Sequence, residues 1–261
     1  MLPTHKRKPK SKIEDFNILI YGAPKIGKSS FASKADSPVF ISTESGLNAL
    51  EVFEIPTPTW TSFLLACREL STKPHQFKTV VVDTIDNLYK LCVEHIRNVQ
   101  KVEHEGDLAY GKGYALIRDE FMRALRALSM LPTGLILISH VNYEEIKTRT
   151  SVYNKAVPTV PKSVRDALLG WVDIIMYADI TTEGERVLHI KSDDKYISGD
   201  RTASIYGSFD TPVPLEFSNF SKCFYNRKGA GQYEKDQYEK DRLLVVDTIM
   251  HRMDENRKGD K

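Results

Sequence analysis

The residues best suited to chemistry lie from Gly22 to Ser29, which read GAPKIGKS and directly follow an apolar run at 16–21. They match the phosphate-binding pattern G-x-x-x-x-G-K-[ST], in which glycines let backbone N–H groups approach phosphate oxygens. Lys28 is expected to reach the β- and γ-phosphates, and the Ser29 hydroxyl to ligate Mg²⁺. A helix predicted to follow would point its positive end at the anion. The predicted nucleotide-binding residues are Gly22, Ala23, Pro24, Lys25, Ile26, Gly27, Lys28, Ser29 and Ser30.

A carboxylate at the end of a second apolar run could complete this site. Asp83 follows the run TVVV at 79–82, and continuous apolar strands are typical of a parallel sheet covered on both faces. Ligands bind at the carboxyl ends of the strands in such sheets. Asp83 is therefore predicted to hold Mg²⁺ opposite Ser29, directly or through water. The alternative is an aspartate that only opens a turn or caps the next helix.

Length and composition indicate a cytosolic globular protein. The chain has 261 residues, 41% hydrophobic and 28% charged, which suffices for one large core with appendages. Its apolar runs are shorter than the roughly 18 residues of a membrane span, and its N-terminus lacks the apolar core of a signal peptide. Three widely spaced cysteines favour neither a zinc site nor a disulfide framework. We therefore expect no membrane association and a cytoplasmic location.

Periodic apolar patterns predict an α/β core. Strands are expected at 16–21, 38–42, 78–83, 134–139, 172–178 and 186–191, and helices at 28–35, 60–71, 85–104 and 113–130. This alternation is typical of a mostly parallel central sheet flanked by helices on both faces. Residues 142–170 lack such a pattern and are predicted to form a long loop. The expected organisation is a basic arm at 1–14, a core at 15–225 and a charged tail at 226–261, with a tandem YEKD repeat and a helix at 239–256.

Other motifs and carboxylates in the sequence indicate which class of P-loop protein this is. The sole Asn-Lys pair, at 154–155, lacks the aspartate of the guanine-binding N-K-x-D motif. Hydrolysis needs a base or a water-orienting group as well as metal and lysine. Asp83 is followed by Thr84 rather than by a glutamate, so the next candidate is Glu44, after the predicted strand at 38–42. Asp86 is the alternative base.

In their order along the chain, GAPKIGKS, FISTESG, VVVDT and LILISH resemble the RecA/RadA core of RecA-like P-loop ATPases. Three further segments, YGKG at 110–113, WVDII at 171–175 and GDR at 199–201, resemble phage-encoded single-strand-annealing ATPases of this type. The resemblance covers about residues 15–210 and implies a RecA-like fold that binds ATP and Mg²⁺. It implies that Glu44 activates water, that Asp83 binds the metal and that His140 is the switch residue that senses the γ-phosphate. The alternative for His140 is a histidine at a strand end whose hydrogen bonds are satisfied.

A basic segment follows His140 and is the candidate DNA-binding loop, at 142–165. Cations that follow a phosphate backbone, together with aromatic rings that stack on bases, are the means by which proteins bind single-stranded DNA. Tyr143 and Tyr153 are interspersed with the cations, although a solvated basic loop with surface tyrosines is the alternative. The candidate DNA contacts are Lys147, Arg149, Lys155, Lys162 and Arg165.

The resemblance also implies a nucleotide site that lies between subunits and is completed by a cation from the neighbour. Arg201 is the first candidate for this cation and Lys191 the second, and the alternative for each is an ordinary surface charge. The implied partners are single-stranded DNA, a single-strand-binding protein and further copies of this chain in a ring or filament. Because the sequence shows neither a recognisable oligomerisation segment nor an N-terminal DNA-binding domain, annealing is expected rather than full strand exchange.

Together these features predict a Mg²⁺-dependent, DNA-stimulated ATPase that binds single-stranded DNA and promotes annealing or homologous recombination. The resemblance implies a phage-encoded protein in the host cytoplasm. Two other classes stay open: a nucleotide-gated accessory protein with little turnover, and a kinase for a small hydroxylated molecule.

Overall fold

The computed structural model describes residues 2–5, 9–108 and 111–227, which form a mixed α/β structure. The strands are β1 (Asn17–Gly22), β2 (Pro38–Ser42), β3 (Phe53–Pro56), β4 (Thr79–Asp83), β5 (Gly134–Lys147), β6 (Val152–Pro158), β7 (Ile174–Ile180), β8 (Arg186–His189), β9 (Gly199–Asp200) and β10 (Val213–Pro214). The helices are α1 (Lys28–Ala32), α2 (Trp60–Thr72), α3 (Ile85–Gln100), α4 (Lys112–Ser129), α5 (Lys162–Trp171), α6 (Ala203–Tyr206) and α7 (Phe217–Tyr225).

The central sheet has the strand order β10-β8-β7-β1-β5-β4-β2-β3. The six strands from β7 to β3 are parallel, and the antiparallel strands β8 and β10 extend one side. Strand β5 lies between β1 and β4, so the ends of these strands meet at one edge. In the register, His140 is opposite Gly22, and Asp83 is opposite Ser42. The predicted fold class, a mostly parallel sheet flanked by helices, is confirmed.

Helices cover both faces because alternate strand residues point to opposite sides. In β1, Leu19 packs in the apolar core formed with α2, α3, α4 and α5. Ile18 and Ile20 point the other way, into the core formed with α1 and α7. Strand β4 is buried along its whole length, as expected for a strand inside a doubly covered sheet. These two cores fix the strand ends that carry the candidate site.

The prediction that 142–170 forms a long loop is wrong. Strand β5 continues past the sheet to Lys147 and pairs with antiparallel β6, and together they form a β-hairpin that turns at 148–151. Polar residues occupy both faces of this two-stranded hairpin, which hides the alternation expected of a strand on a core. Helix α5 follows the hairpin and buries Val164 and Leu168.

Other differences concern an edge strand and the chain termini. Edge strand β3 is not among the predicted elements: its sequence FEIP has only four residues, three of them exposed, and is too short to show a period. Ile13, within the predicted basic arm at 1–14, is buried in the core. Residues 6–8 of the arm, Tyr110 of the YGKG segment, the YEKD repeat and the helix predicted at 239–256 lie outside the described residues.

Candidate functional site

The phosphate loop joins β1 to α1 and depends on two glycines. A β-carbon on Gly22 would lie 2.5 Å from the Ala178 carbonyl oxygen of the neighbouring strand, so a side chain cannot be accommodated there. Gly27 has φ 114° and is the N-cap of α1, a conformation that L side chains rarely adopt. Between them Pro24 and Lys25 are exposed, Ile26 is buried and Lys25 has φ 64°. The predicted loop therefore has the turn that its glycines require.

The Lys28 side chain lies inside this loop and is 5% exposed. Its Nζ donates hydrogen bonds of 2.9 Å to the carbonyl oxygens of Gly22 and Ala23. Burial lowers the pKa of Lys28, and the nearby carboxylates of Asp83, Asp86 and Glu44 oppose that decrease. A buried ammonium that is held by neutral carbonyls is well suited to receive an anionic ligand, because a phosphate would supply the missing countercharge.

The pair of Ser29 and Asp83 lies next to Lys28. The Ser29 hydroxyl donates a hydrogen bond of 2.6 Å to Asp83 Oδ2, and Asp83 is 4% exposed. Burial raises the pKa of Asp83, while the bond from Ser29 lowers it and the charge of Glu44 raises it further. A hydroxyl and a carboxylate are the hard oxygen donors that Mg²⁺ prefers.

The donor set fits the Mg²⁺ of a metal–nucleotide complex. Within the described ranges, no group of three or more histidine, cysteine, aspartate or glutamate side chains could hold a metal. Magnesium commonly takes one or two carboxylates and completes its octahedron with phosphate and water. The pair of Ser29 and Asp83 meets that requirement.

Glu44 lies just beyond the end of β2, the strand that neighbours β4. The backbone N–H of Thr43 donates to the Asp83 carbonyl oxygen at 2.9 Å, which keeps the segment close to Asp83. The Glu44 side chain is exposed and accepts a hydrogen bond of 2.6 Å from Asn87 Nδ2 on α3. Lys90 Nζ in turn donates to Asn87 Oδ1 at 3.2 Å. Glu44 is thus a solvated carboxylate that α3 orients towards the loop edge.

Asp86, the alternative base, is contacted by two hydrogen-bond donors and by the His140 ring. Its Oδ1 accepts from the Ser139 hydroxyl at 2.6 Å, and its Oδ2 accepts from the His140 backbone N–H at 2.6 Å. His140 Nδ1 lies 2.9 Å from the same Oδ2. Asp86 is also buried. A carboxylate saturated in this way holds the end of β5 in place, so the geometry favours Glu44 as the base.

His140 connects the loop edge to the hairpin. It lies opposite Gly22 in the β1–β5 register, and its carbonyl oxygen accepts a hydrogen bond of 3.0 Å from the N–H of Thr159, just after β6. The Thr159 N–H also lies 3.3 Å from the Ser139 hydroxyl. A continuous set of hydrogen bonds therefore runs from Asp86 to the base of the hairpin. The sequence motifs single out His140 but not Ser139 or Asn87, because serine and asparagine carry no signal by themselves.

The predicted DNA-binding cations occupy different environments. Arg149 lies exposed in the hairpin turn, and Lys162 is exposed at the start of α5. Lys147 is exposed and forms an ion pair of 2.7 Å with Glu145. Lys155 lies directly opposite Glu144 in the hairpin register. Arg149 and Lys162 are thus exposed and unpaired among the described residues, whereas Lys147 is exposed but paired and Lys155 is half-buried.

Arg165 does not belong with these cations. It is 4% exposed, and its Nη2 contacts both carboxylate oxygens of Glu144 at 2.8 and 2.9 Å. Its Nη1 donates to the Pro158 carbonyl oxygen at 3.3 Å. Arg165 is therefore the one candidate DNA contact whose side chain the structure buries and pairs with a carboxylate. The side chain fastens α5 to the hairpin, because a buried guanidinium needs a carboxylate partner.

Arg201 lies at the opposite edge of the sheet from the phosphate loop. Its Nη2 donates to the Gly170 carbonyl oxygen at 2.6 Å, and its Nη1 lies 3.5 Å from Asp173 Oδ1. Asp173 also accepts from the backbone N–H of Asn17, the first residue of β1. Arg201 is therefore remote from the loop of its own chain. Lys191, the second candidate, is exposed just after β8.

A protein-family model for an AAA domain matches residues 14–202. The chain belongs to the AAA domain family. This membership confirms the predicted class of P-loop ATPase, and the matched range includes the phosphate loop, Asp83, Glu44 and the hairpin. The matched range ends just after Arg201 and covers most of the described core of this AAA domain protein.

Two known proteins are similar to this AAA domain protein. The SPbeta prophage-derived uncharacterized protein YorG of Bacillus subtilis (strain 168) is 23% identical over 166 residues, which are 61% of this chain and 49% of YorG. The chain thus spans about half the length of that curated relative. The crystal structure of the RadB recombinase is 13% identical with a TM-score of 0.41, and the likeness covers 70% of this chain and 83% of that one. Among the described helices, none combines the length and apolarity of a membrane-spanning segment.

Proposed function

We propose that this AAA domain protein is a Mg²⁺-dependent ATPase that binds single-stranded DNA, is stimulated by it, and promotes annealing or homologous recombination in a phage. The observation that carries the proposal is the single sheet edge that brings together Lys28, Ser29, Asp83 and Glu44, with His140 leading from it to a basic hairpin. The prophage origin of YorG supports the phage setting.

The nucleotide would lie on the loop between β1 and α1. Backbone N–H groups and the buried Lys28 ammonium would bind the phosphates, and Ser29 and Asp83 would hold Mg²⁺. When bound, the Mg²⁺ supplies charge neutralisation at the phosphate oxygens. Glu44 would accept a proton from the attacking water, with Asn87 fixing the orientation of its carboxylate.

The hairpin would bind single-stranded DNA, and this binding would affect the sheet edge where the nucleotide lies. Tyr143 is 58% exposed near the base of the hairpin and Arg149 is exposed in its turn, so an aromatic ring and a cation both project from this hairpin. Exposed rings and cations of this kind bind bases and phosphates without sequence preference. Because the His140 carbonyl accepts from Thr159 beside β6, a shift at His140 would move the hairpin. This connection supports a coupling of hydrolysis to DNA binding.

Phosphate release from ATP, measured with and without single-stranded DNA, tests this function. The proposal expects Mg²⁺-dependent turnover that rises several-fold when single-stranded DNA is added. An accessory protein gated by nucleotide would bind ATP without turnover in either condition. A small-molecule kinase would consume ATP only with a hydroxylated acceptor and would ignore DNA. Either of those two results would overturn the proposal.

Neutralising the hairpin cations should weaken DNA binding in a salt-dependent manner. We expect the triple change Lys147→Gln, Arg149→Gln and Lys155→Gln to flatten the plot of log K against log[salt] by up to about two units, since each contact with single-stranded DNA contributes about −0.7. Fluorescence anisotropy of a labelled oligonucleotide over a salt series measures this slope. A control triple at exposed cations elsewhere, Lys34, Lys73 and Lys101, should leave the slope unchanged. An unaltered slope in the hairpin triple would assign DNA binding to another surface, such as the basic N-terminal arm.

The remoteness of Arg201 from its own phosphate loop supports a role across a subunit boundary. We expect Arg201→Ala to fold and bind ATP but to lose DNA-stimulated hydrolysis, because the neighbour's nucleotide would lack its cation. Mixing Arg201→Ala with Glu44→Gln subunits should partly restore turnover, since some interfaces would then pair both intact residues. Specific activity should fall on dilution. Constant turnover per subunit at nanomolar protein, with monomers in sedimentation in the presence of ATP and DNA, would contradict the shared site.

A further inference from the structure

Besides the lysines of the phosphate loop itself, a cation from strand β8 lies against this loop, on the side away from Asp83. Arg186 is the first residue of β8, and β8 runs antiparallel to β7, so Arg186 lies at the edge where β1 ends. A β-carbon placed on Gly27 would lie 3.6 Å from Arg186 Nη1 and 3.6 Å from Leu215 Cδ2. The guanidinium therefore approaches the loop backbone directly before Lys28.

The Arg186 guanidinium is available for a ligand. The side chain is exposed, and across residues 2–5, 9–108 and 111–227 it forms neither an ion pair nor a side-chain hydrogen bond. Its backbone is fixed, because the Arg186 carbonyl oxygen accepts from Leu215 N–H at 2.9 Å. Glu183 and Glu185 lie in the adjacent turn without pairing to it. Arg186 therefore does not stabilise the fold through an ion pair among the described residues. No such pair holds its guanidinium away from the loop.

The neighbours of Arg186 are apolar side chains at the same edge. Ile180 lies directly opposite Arg186 in the β7–β8 register, which puts both side chains on one face, and Ile180 is 51% exposed. Leu215 is half-buried and approaches Gly27 together with Arg186. A partly exposed apolar surface beside a free cation suits a ligand that has both an apolar body and a negative charge.

The position relative to β1 decides which part of a nucleotide this surface would meet. Ser29, Asp83 and Glu44 cluster on the side of β1 where β5, β4 and β2 lie, whereas Arg186 lies on the β7 and β8 side. A nucleoside triphosphate whose γ-phosphate lies near Asp83 would extend its α-phosphate and nucleoside towards β8. The nucleoside end therefore falls beside Arg186, Ile180 and Leu215.

We propose that Arg186 contacts the α-phosphate of the bound nucleotide, and that Ile180 and Leu215 contact its nucleoside. This inference rests on the proposed nucleotide-binding function and specifies which residues contact the α-phosphate and the nucleoside. A contact to the α-phosphate is the same in ATP and ADP. Arg186 thus acts as a binding residue for either nucleotide and is not a sensor of the γ-phosphate.

Calorimetric titration of the full chain with ATP and with ADP, both in Mg²⁺, tests the proposal. Arg186→Gln should weaken both nucleotides equally, by about 10-fold, the size of one charge-assisted hydrogen bond at an exposed site. Arg186→Lys should retain most of the affinity because it keeps the charge. Arg126→Gln, which removes an exposed cation from α4 on the other face of the sheet, should leave both affinities unchanged. Unchanged thermal unfolding of each variant shows that it folds.

Three results would overturn the proposal. Equal affinities of Arg186→Gln and the parent protein for both nucleotides would remove Arg186 from the site. A loss for ATP alone would assign Arg186 to the γ-phosphate, and a loss in Arg186→Lys as large as in Arg186→Gln would exclude a simple charge contact. A parent protein that binds neither nucleotide would instead refute the proposed function, so the two failures are distinguishable.

Discussion

Lys28→Ala is expected to reduce ATP affinity at least about 100-fold. The ammonium is buried in the loop and donates hydrogen bonds of 2.9 Å to two backbone carbonyl oxygens. It is therefore positioned before any ligand binds. A charged donor contributes about 1.5–3 kcal/mol per hydrogen bond, and the loss of two such bonds to phosphates accounts for the factor. Titration calorimetry with ATP in Mg²⁺ measures the change directly.

The matched control is Lys34→Ala, which removes an exposed lysine just after α1. It changes the net charge by the same amount and should leave ATP affinity within a factor of two. If Lys28→Ala binds ATP as tightly as the parent protein while keeping its fold, the phosphate loop is not the nucleotide site. The roles assigned to Ser29, Asp83 and Glu44 would then also be wrong.

Glu44→Gln should slow ATP hydrolysis by about 10²–10⁴-fold, the usual contribution of a general base, and leave ATP affinity near that of the parent protein. Glutamine has the same shape and can still accept from Asn87, but it cannot take a proton from water. The exposed carboxylate is suited to that role because only one hydrogen bond engages it among the described residues. Steady-state phosphate release gives the rate, and calorimetry gives the affinity.

Glu51→Gln is the control, since Glu51 is an exposed glutamate in the segment before β3. It should hydrolyse ATP at the parental rate. Loss of ATP binding in Glu44→Gln without a loss of turnover would make Glu44 a structural residue and leave another group as the base. Asp86 is a weak substitute, because its oxygens already accept from Ser139 and His140.

The sequence was sufficient to predict the phosphate loop and the neighbouring strand ends. A pattern of fixed glycines, lysine and serine specifies a backbone turn, and a run of valines before Asp83 specifies a buried parallel strand. The turn and the buried strand are each determined by residues that are adjacent in the sequence. The predicted fold class followed from the same apolar runs and is confirmed by the observed strand order.

The hairpin and the environment of Arg165 could not be predicted in the same way. Strand β6 pairs with the projecting part of β5, and a hairpin outside the core needs no apolar face to form. Arg165 is buried because α5 packs back on that hairpin and brings the guanidinium to Glu144, a contact between residues 21 positions apart. Arg186 likewise lies beside the loop because β8 runs antiparallel to β7, and no local sequence motif predicts that pairing.

Equilibrium binding of ATP to the full chain, with Mg²⁺ and with Mg²⁺ removed by EDTA, tests the central claim most directly. The geometry of Lys28, Ser29 and Asp83 predicts one saturable ATP site per chain and tighter binding with Mg²⁺ than without it. A folded protein that shows no saturable binding of ATP or ADP in Mg²⁺ would contradict the account.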